Sequence, residues 1–594
     1  MHFERMARRG ALIAVTVLVA ACARAPVALP APAPAAAAAS SRAAVPLAPP
    51  AVPAPLDATA LLQAMSLEEK VGQLMMVGFK GREVDDEVAT LVRGRRVGGV
   101  CLFNRNLSDA AQIARLNDDL RALLADTVPP FIAVDQEGGT VVRVDDGNVV
   151  LPGNMLLGAS RDEALAYEAG RAQGEDLWRL GFNMNLAPVL DVNSNPMNPV
   201  IGVRAFGDDV KLVSGLGAAF VRGQQDAAIV TVAKHFPGHG AVDADSHRRL
   251  PVVKAPLAQV WSQLQPFEAA MKSGLDGMMT AHIATPALTG DDTPATLSAR
   301  VLGTVLRQQL GFGGLVVTDE LEMDAIDARW GVGRAAVLAI NAGADMVLVP
   351  WRSEKKLEVW EALVSAAQSG QLPQERLDDA VRRILEVKLR RGLFTALPPR
   401  AERLAALGSR REVADRIARA GVTLLRAQPG LFPLPHGQRV GLITAEPSLA
   451  AALARRVAAL EVEEVPALPA PEARLALKLR ARALAQKVDV VVVGVVNSRQ
   501  LELVVNAALA GKPVVAVVMG APYLASQAHL AKSIVAVYSS RPEASEAAAA
   551  ALAGEQGTPG RLPVATGKWP YGFGLDPGGE RLAGTPGPAT SGTP

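Results

Sequence analysis

The sequence predicts a (β/α)8 TIM-type barrel followed by a smaller three-layer α/β/α sandwich. Three observations lead to this fold class. Short apolar runs alternate with longer amphipathic stretches eight times between residues 56 and 397. A second, shorter series of the same alternation fills residues 398–574. Ionisable side chains stand at the ends of several apolar runs, where a parallel barrel carries its functional groups.

Eight predicted strands define the barrel. A doubly wound sheet alternates in the same way, so the number eight is the deciding feature. Amphipathic stretches at residues 110–124, 163–180 and 257–273 have the helical period that such units need between strands. The predicted strands cover residues 71–79, 97–103, 130–135, 183–192, 229–235, 277–283, 314–319 and 345–350.

The second domain begins with a helical connector at residues 397–420. Four apolar runs then predict a mostly parallel sheet, at residues 439–444, 488–496, 513–520 and 533–538. Val496-Asn497 is not followed by a glycine-rich phosphate loop, so no nucleotide role is predicted. The domain has no concentrated set of polar residues, so it is expected to stabilise the barrel or to shape the substrate groove. Residues 575–594 are rich in Gly, Pro and Thr and are predicted to be disordered.

The N-terminus has the pattern of a bacterial lipoprotein signal peptide over residues 1–22. Three arginines precede an apolar run over residues 11–21, which is too short to span a bilayer. The run ends in Val-Ala-Ala-Cys, which resembles the lipobox, so Cys22 is the predicted lipidation site. The alternative is an ordinary signal peptide with an incidental cysteine. Residues 23–55 are nearly all Ala and Pro, which predicts an extended tether.

These segments predict an exported protein whose membrane contact is made through the lipid on Cys22. Ala23 and Arg24 lack the aspartate that resembles an inner-membrane retention signal. In a cell with two membranes, the expected place is therefore the outer membrane, facing the periplasm. Cys101, the one other cysteine, lies in an apolar run and is expected to be buried rather than disulfide-bonded.

The charge balance sets limits on partners. The 594 residues carry 61 basic and 59 acidic side chains, a formal charge of +2. Nucleic-acid binding requires a basic face or stripe, and this near-neutral balance does not indicate one. Hydrophobic residues make up 49% of the chain, which is enough for large buried cores.

Polar side chains mark the ends of the apolar runs. Asp135, Lys234-His235, His282 and Asp319 each close one of them. Neighbours in an extended strand point to opposite sides, so only one of Asp319 and Glu320 is expected to face the barrel mouth. Asp319 is the candidate, because it continues the strand whereas Glu320 begins the loop. The alternative makes Asp319 the N-cap of the following helix.

A loop rich in glycine and histidine follows the fifth strand. It reads Lys-His-Phe-Pro-Gly-His-Gly over residues 234–240 and Asp-Ala-Asp-Ser-His over residues 243–247. A zinc site is one interpretation, but Pro237 and the glycines exclude helical histidine spacing, and no metal is predicted. The other interpretation pairs Asp245 with His247, because an imidazole is a side chain that can donate and then accept a proton.

These motifs together resemble glycoside hydrolase family 3, in its bacterial β-N-acetylglucosaminidase branch. The family carries the loop found at residues 234–240, followed by aspartate-serine-histidine. The chain is also similar to the family at residues 135–139, 204–207 and 318–319, and in the second domain at residues 560–564. Thr140 and Ala241 depart from the family pattern. Neither is at a catalytic position, so the departures concern substrate contacts only.

The resemblance implies a retaining, exo-acting enzyme that removes terminal β-linked N-acetylglucosamine from peptidoglycan fragments or related oligosaccharides. It implies that Asp319 is the nucleophile forming a covalent glycosyl intermediate, and that Asp245 and His247 form the acid/base dyad. The glycan is the expected partner, and no cofactor is expected. The residues implied to hold the sugar are Asp135, Arg143, Arg204, Lys234 and His235.

Aromatic residues make up only 4% of the chain, so the sugar is expected to be held by hydrogen bonds more than by stacking. Three alternatives stay open. One is a β-glucosidase or β-xylosidase of the same family, whose branches tend to take their acid from the second domain. Another is a non-catalytic lipoprotein that binds cell-wall sugars. The third is phosphorolysis, because a neutral imidazole in place of a carboxylate repels phosphate less strongly.

Overall fold

The computed structural model describes residues 56–586, so the predictions for residues 1–55, including Cys22, lie outside it. In the part described, no helix is long and apolar enough to cross a membrane. Cys101 is buried and carries a free thiol, as the sequence predicts.

Eight parallel strands close into a barrel in which each strand pairs with the next and the last pairs with the first. They are β1 (Met75–Val77), β2 (Gly99–Leu102), β3 (Phe131–Val134), β4 (Met184–Asn185), β5 (Val230–Phe236), β6 (Gly277–Thr280), β7 (Leu315–Glu320) and β8 (Met346–Val349). The predicted barrel is confirmed. All residues of β2, β3, β6 and β8 are buried, because helices cover the outside and side chains fill the inside.

Helices surround the barrel, and six of them begin after an Asp or Ser side chain that accepts a hydrogen bond from a first-turn backbone N–H. A π-helix, Arg300–Gln309, lies between β6 and β7. The α-helices are α1 (Ala58–Ala64), α2 (Leu67–Gln73), α3 (Asp86–Arg95), α4 (Ala110–Ala122), α5 (Asn154–Ser160), α6 (Glu163–Arg179), α7 (Val210–Asp226), α8 (Leu257–Lys272), α9 (Pro286–Thr289), α10 (Asp324–Trp330), α11 (Val332–Ala342), α12 (Ser353–Gln368) and α13 (Gln374–Arg390).

Two predicted barrel strands are too long. The sequence predicts the first at residues 71–79, but α2 extends to Gln73 and only Met75–Val77 is strand. A capping box between Ser66 and Glu69 starts that helix, and the apolar run begins on its buried face. The sequence predicts the fourth at residues 183–192, but only Met184–Asn185 is strand. Pro188, which has no N–H to donate, interrupts the remainder of that run.

The second domain is built on a six-stranded sheet with the order β11-β10-β12-β13-β14-β9. The strands are β9 (Thr423–Arg426), β10 (Val440–Thr444), β11 (Leu460–Glu464), β12 (Val490–Val495), β13 (Val514–Val518) and β14 (Ser533–Ala536). All pairs are parallel except β14 with β9. The helices are α14 (Arg400–Ala405), α15 (Glu412–Gly421), α16 (Pro447–Ala454), α17 (Arg474–Lys487), α18 (Ser498–Leu509), α19 (Tyr523–Gln527) and α20 (Pro542–Leu552).

This domain confirms the predicted α/β/α sandwich and its helical connector, which is α14 and α15. The sequence missed β9 and β11. β11 lies at the edge of the sheet and has three glutamates among its five residues, so it lacks the apolar pattern of the inner strands.

The predicted disorder of residues 575–594 is wrong for residues 575–586. Leu575 forms antiparallel bridges with Leu424 in β9 and with Arg581. Its backbone N–H donates to Leu424 O at 2.9 Å, and its carbonyl accepts from Thr558 Oγ1 at 2.7 Å. These backbone pairings hold the segment despite its glycine and proline content.

The sandwich packs beside the mouth of the barrel. Asn193 Nδ2 donates to Tyr523 Oη at 2.9 Å, and Arg541 forms an ion pair with Asp145 at 2.6 Å. The backbone N–H of Ala565 donates to Asp208 Oδ2 at 2.7 Å. Each contact reaches a barrel-mouth loop, so the sandwich braces the loops that carry the site.

Candidate active site

The carboxyl ends of the barrel strands surround a cavity of about 250 Å³. Drug-sized ligands occupy pockets of about 300–1,000 Å³, so this cavity suits one sugar unit. All its lining residues lie between Phe103 and Trp351, and the described part of the sandwich contributes none. Seven of the eight residues predicted to act in catalysis or sugar binding line it: Asp135, Arg143, Arg204, Lys234, His235, His247 and Asp319.

Asp319 lies near the end of β7 with its carboxylate toward the cavity. Its Oδ1 accepts a hydrogen bond from the Glu320 backbone N–H at 2.8 Å. Burial acts to raise the pKa of Asp319, but the charges of His282 and His235, with that N–H, hold it below its ordinary value. Asp319 is therefore ionised at neutral pH, as a nucleophile must be.

Glu320 also lines the cavity, so the prediction that only one of the two neighbours faces it is wrong. The pairing of β7 with β8 shifts register between Val317 and Glu320, and this irregularity breaks the alternation of side chains. Burial, with the charge of Asp319, raises the pKa of Glu320 to about 7, although a hydrogen bond from Trp351 acts in the opposite direction.

His282 closes β6 in the sequence but supports the site from behind. It is fully buried, and its ring nitrogens contact Thr296 Oγ1 at 2.8 Å and the backbone carbonyl of Glu320 at 2.9 Å. Both nitrogens are engaged, so His282 fixes the end of β7.

Two cations and two carboxylates form a buried cluster on one wall of the cavity. Lys234 Nζ lies 2.6 Å from Asp135 Oδ1 and 2.8 Å from Glu137 Oε1. Arg204 binds Glu137 with two parallel bonds, of 2.9 and 2.7 Å. Burial acts against each charge, but the opposite charges lower the pKa of Glu137 and raise those of Arg204 and Lys234. All three stay charged, and hydroxyl groups of a ligand would find both donors and acceptors here.

Glu137 was missed as a site residue. It lies within the Asp-Gln-Glu-Gly-Gly motif and is only 2% exposed. The signal in the sequence was charge balance: the predicted site has two cations, Lys234 and Arg204, beside Asp135, and two buried cations need a second carboxylate. Arg143, on the loop that follows, donates from Nη1 to Asn104 Oδ1 at 3.2 Å.

Asp191 was also missed. It is fully buried, and its Oδ2 lies 2.7 Å from Nδ1 of His235. Its Oδ1 accepts from the backbone N–H of His239 at 2.6 Å. Burial acts to raise the pKa of Asp191, but the charge and hydrogen bond of His235 lower it. Asp191 thus orients His235 at the cavity wall; an aspartate inside an apolar run was the only sign in the sequence.

Asp245 and His247 form the expected pair. Nδ1 of His247 lies 2.8 Å from Asp245 Oδ1, which also accepts the His247 backbone N–H at 2.9 Å. The His247 side chain is 62% exposed, and its ring lines the cavity while Asp245 lies behind it. Burial acts to raise the pKa of Asp245, but the two bonds from His247 lower it. The bond at Nδ1 leaves Nε2 of the imidazole for proton transfer.

Two aromatic rings form another side of the cavity, whose lining is otherwise mostly polar. The rings of Phe103 and Trp351 lie 4.6 Å apart between centroids, and both line the cavity. The Arg105 guanidinium sits 4.2 Å from the Trp351 ring centroid. Apolar sugar faces pack against such surfaces.

The zinc interpretation finds no support in the geometry. Within residues 56–586 no three His, Cys, Asp or Glu side chains are arranged to hold a metal ion. His235 and His247 each point a ring nitrogen at their own aspartate. His239 contacts Ser246.

Comparisons with known proteins agree with this geometry. The profile of the glycosyl hydrolase family 3 N-terminal domain matches residues 66–387. Beta-hexosaminidase A of Pseudoalteromonas piscicida is 34% identical over 430 residues, 64% of this chain and 71% of that protein. Beta-hexosaminidase of Alkalilimnicola ehrlichii is 40% identical over 286 residues, 47% of this chain and 80% of that protein.

A solved structure covers both domains. The family 3 β-N-acetylglucosaminidase from Paenibacillus sp. str. FPU-7 is 37% identical, with a TM-score of 0.80, over 85% of this chain and 99% of that one. A β-glucosidase from Listeria innocua, 20% identical with a TM-score of 0.70, shares the fold. From the profile match and these relatives, the chain belongs to glycosyl hydrolase family 3.

Proposed function

We propose that the chain is a retaining, exo-acting β-N-acetylglucosaminidase that removes terminal β-linked N-acetylglucosamine. The observation that carries this proposal is the meeting of two groups at one cavity. Asp319 supplies an ionised carboxylate, and His247, bonded to Asp245, supplies an imidazole. A nucleophile and a proton donor at one anomeric centre are what retaining hydrolysis requires.

The reaction proceeds in two displacements. Asp319 attacks the anomeric carbon while His247 donates its proton to the departing glycosidic oxygen, so the C–O bond breaks as the ester bond to Asp319 forms. His247, now neutral, takes a proton from water, and the resulting hydroxide attacks the same carbon and releases Asp319. Two inversions give net retention. Asp245 holds the imidazole in one orientation and stabilises its protonated form.

The remaining wall residues suit recognition of one terminal sugar. Asp135, Lys234 and Arg204 present charged donors and acceptors within a cavity of about 250 Å³. Together with His235 and Arg143 they would hold its hydroxyl and acetamido groups. A cavity of this size, which suits one sugar unit, supports cleavage from the chain end rather than within a glycan.

The N-acetyl preference rests on the relatives and on the Asp-Ser-His loop. Proteins named beta-hexosaminidase are 34–40% identical to the chain, and a structure that is 37% identical and matches 85% of the chain is described as a β-N-acetylglucosaminidase. No described sandwich residue lines the cavity, which supports an acid taken from the barrel loop rather than from the second domain. Peptidoglycan fragments or related oligosaccharides are the proposed natural substrates.

The test compares 4-nitrophenyl N-acetyl-β-D-glucosaminide with 4-nitrophenyl β-D-glucoside. We expect the first to be cleaved far faster, and proton NMR to show the β-anomer of N-acetylglucosamine as the initial product. A preference for the glucoside would overturn the N-acetyl assignment, and an initial α-anomer would overturn retention. Sugar 1-phosphate formed in phosphate buffer would assign phosphorolysis in place of hydrolysis.

The proposed location is the cell envelope, with Cys22 as the lipid anchor. The signal-like segment and the tether at residues 23–55 support it. Expression of the full chain should place the activity in the membrane fraction, and Cys22→Ala should release it. Membrane association of the Cys22→Ala variant would contradict lipid anchoring.

A further inference from the structure

Ser246 stands between the two residues of the proposed acid/base dyad. Side chains along residues 241–247 alternate between the interior and solvent. Ser246 is 2% exposed, whereas the Asp245 and His247 side chains are 31% and 62% exposed. The dyad is therefore open to solvent at the cavity mouth, on a segment whose intervening residue is buried and also lines the cavity.

The buried partner of Ser246 is His239. Nε2 of His239 lies 3.1 Å from Ser246 Oγ, and His239 is itself only 2% exposed. The backbone of His239 is fixed on both sides: its N–H donates to Asp191 Oδ1 at 2.6 Å, and its carbonyl accepts from Asn198 Nδ2 at 2.8 Å. Asp191 also holds His235, so His239 belongs to the rigid wall of the cavity.

The dyad has few other hydrogen bonds. The side chains of Asp245 and His247 bond to each other, and the Asp245 carbonyl accepts from the backbone N–H groups of Arg248 and Arg249 at 3.0 and 3.1 Å, within the same loop. The segment is also tied to the barrel by Asn195 Nδ2, which donates to the carbonyl of Val242 at 2.9 Å, but that bond lies three residues before Asp245. Within residues 56–586, the bond between Ser246 and His239 is the side-chain hydrogen bond next to the dyad that leads to the cavity wall.

We propose that Ser246 and His239 form a tether that positions His247 over the cavity, so that Ser246 is a positioning residue that acts through His247. This inference rests on the proposed function. A general acid must come within hydrogen-bond distance of the leaving oxygen, and a displacement of about 1 Å can cost about 100-fold in rate.

The protonation state of His239 suits a tether. Burial, with the charge of His235, lowers the pKa of His239 to about 4, so its ring is neutral at neutral pH. Either neutral tautomer can bond to the Ser246 hydroxyl, because a bare Nε2 accepts from it and a protonated Nε2 donates to it. Among the described residues Nδ1 of His239 is buried and has no hydrogen-bond partner, so the ring is held through Nε2.

The test uses Ser246→Ala with two aryl N-acetyl-β-D-glucosaminides. Departure of phenol needs a proton from the enzyme, and departure of 2,4-dinitrophenol does not. We expect Ser246→Ala to lower kcat/KM for the phenyl glycoside about tenfold or more and for the dinitrophenyl glycoside about twofold or less. Ser545→Ala is the matched control, since Ser545 is fully buried in the sandwich and bonds to Ser448 Oγ at 2.7 Å. It should change neither value.

A second measurement separates positioning from general loss of structure. In a His247→Ala background, Ser246→Ala should have less than about a twofold further effect on the phenyl glycoside, because its partner in catalysis is already absent. Equal losses on both glycosides, no loss on either, or a full further loss in the His247→Ala background would overturn the tether.

Failure of the proposed function would give a different pattern. If the wild-type enzyme cleaves aryl glucosides but not N-acetylglucosaminides, the substrate assignment fails, and the corresponding pair of glucosides tests the tether unchanged. A wild-type protein without glycosidase activity would overturn both proposals.

Discussion

The strands of the barrel and of the sandwich end in different residues, although both sheets are largely parallel. In the barrel, charged side chains at the ends of β3, β5 and β7 meet in one cavity. In the sandwich, β12 and β13 stay apolar to their last residues, Val495 and Val518. The carboxyl ends of a parallel sheet can therefore carry a functional site, and the residues at these ends determine whether a site is present.

One pair of residues shows the difference. Asp319 faces the cavity, and the next helix, α10, begins only after Met323 without a side-chain cap. Asn497 follows β12, accepts from the Arg499 N–H and forms a capping box at the start of α18. The N-cap interpretation left open for Asp319 is wrong there and describes Asn497 instead. A polar residue after a buried strand thus has either role, according to where the helix begins.

The largest expected effect comes from substituting Asp319, and substitution of Asn497 is its comparison. Asp319→Asn should lower kcat by about three orders of magnitude or more, because an amide cannot form the glycosyl ester. Asn497→Ala should leave kcat unchanged and lower the free energy of unfolding by about 1 kcal/mol through loss of the cap. Steady-state kinetics and urea unfolding measure both. Activity within about tenfold of wild type in Asp319→Asn would contradict the nucleophile assignment.

Glu137 and Glu546 sharpen the comparison, because each bridges two cations. Glu137 bonds to Arg204 and Lys234 and is 2% exposed, whereas Glu546 bonds to Arg455 and Arg456 with its side chain 38% exposed. Glu137→Gln should lower the free energy of unfolding by about 3 kcal/mol, because it leaves two buried cations short of a carboxylate. Glu546→Gln should cost about 1 kcal/mol or less.

Urea unfolding of both variants at one salt concentration tests this pair. Equal losses of stability would show that burial of the cluster at the cavity wall does not matter. Glu137→Gln should also raise KM, since the residues it holds line the cavity.

The fold was predictable because its signal is repeated and local. Because the barrel prediction rests on eight strand-and-helix units, an error in one unit does not change the predicted fold. The barrel is confirmed, although the strand predicted at residues 71–79 is too long. Its correction was itself present in the sequence, since Ser66 and Glu69 have the spacing of a capping box. Edge strand β11 could not be found from apolar pattern, because its side chains face solvent.

The site was predictable only where residues follow a motif along the chain. Asp319, Asp245 and His247 stand in such motifs, and the structure brings their groups to one place, although their roles stay predictions. Glu137 and Asp191 bond to Arg204 and His235, which lie 67 and 44 residues further along the chain. A local motif does not show which residues so far apart in sequence come into contact. Glu320 was missed for a different reason, because an irregular pairing of β7 overrides the alternation of an ideal strand.

Glu320 and Glu446 give a smaller, pH-dependent comparison. Burial raises the pKa of Glu320 from 4.5 to about 7, and it also raises the pKa of Glu446 in the sandwich. A folded protein that keeps a proton which the unfolded chain releases loses stability as pH rises between the two pKa values. Between about pH 5 and pH 8, wild type should lose about 1–2 kcal/mol of stability relative to Glu320→Gln.

Activity separates the two residues. Glu320→Gln should change the pH profile of kcat/KM on its neutral limb, because the ionisation it removes lies beside Asp319. Glu446→Gln should change the pH dependence of stability in the same direction and leave the activity profile as in wild type. An unchanged activity profile in Glu320→Gln would show that its charge does not reach the reacting centre.

The smallest expected effect tests whether the sandwich only braces the barrel. Tyr523→Phe removes the hydroxyl that accepts from Asn193 Nδ2 at 2.9 Å, and it keeps the ring. It should lower the free energy of unfolding by about 1 kcal/mol, since one half-buried hydrogen bond is lost, and leave kcat/KM within about twofold. A loss of kcat/KM above tenfold with unchanged stability would mean that the sandwich controls the geometry of the cavity. The sandwich would then influence catalysis through the barrel loops that it contacts, although its own strands end in apolar residues and none of its described side chains lines the cavity.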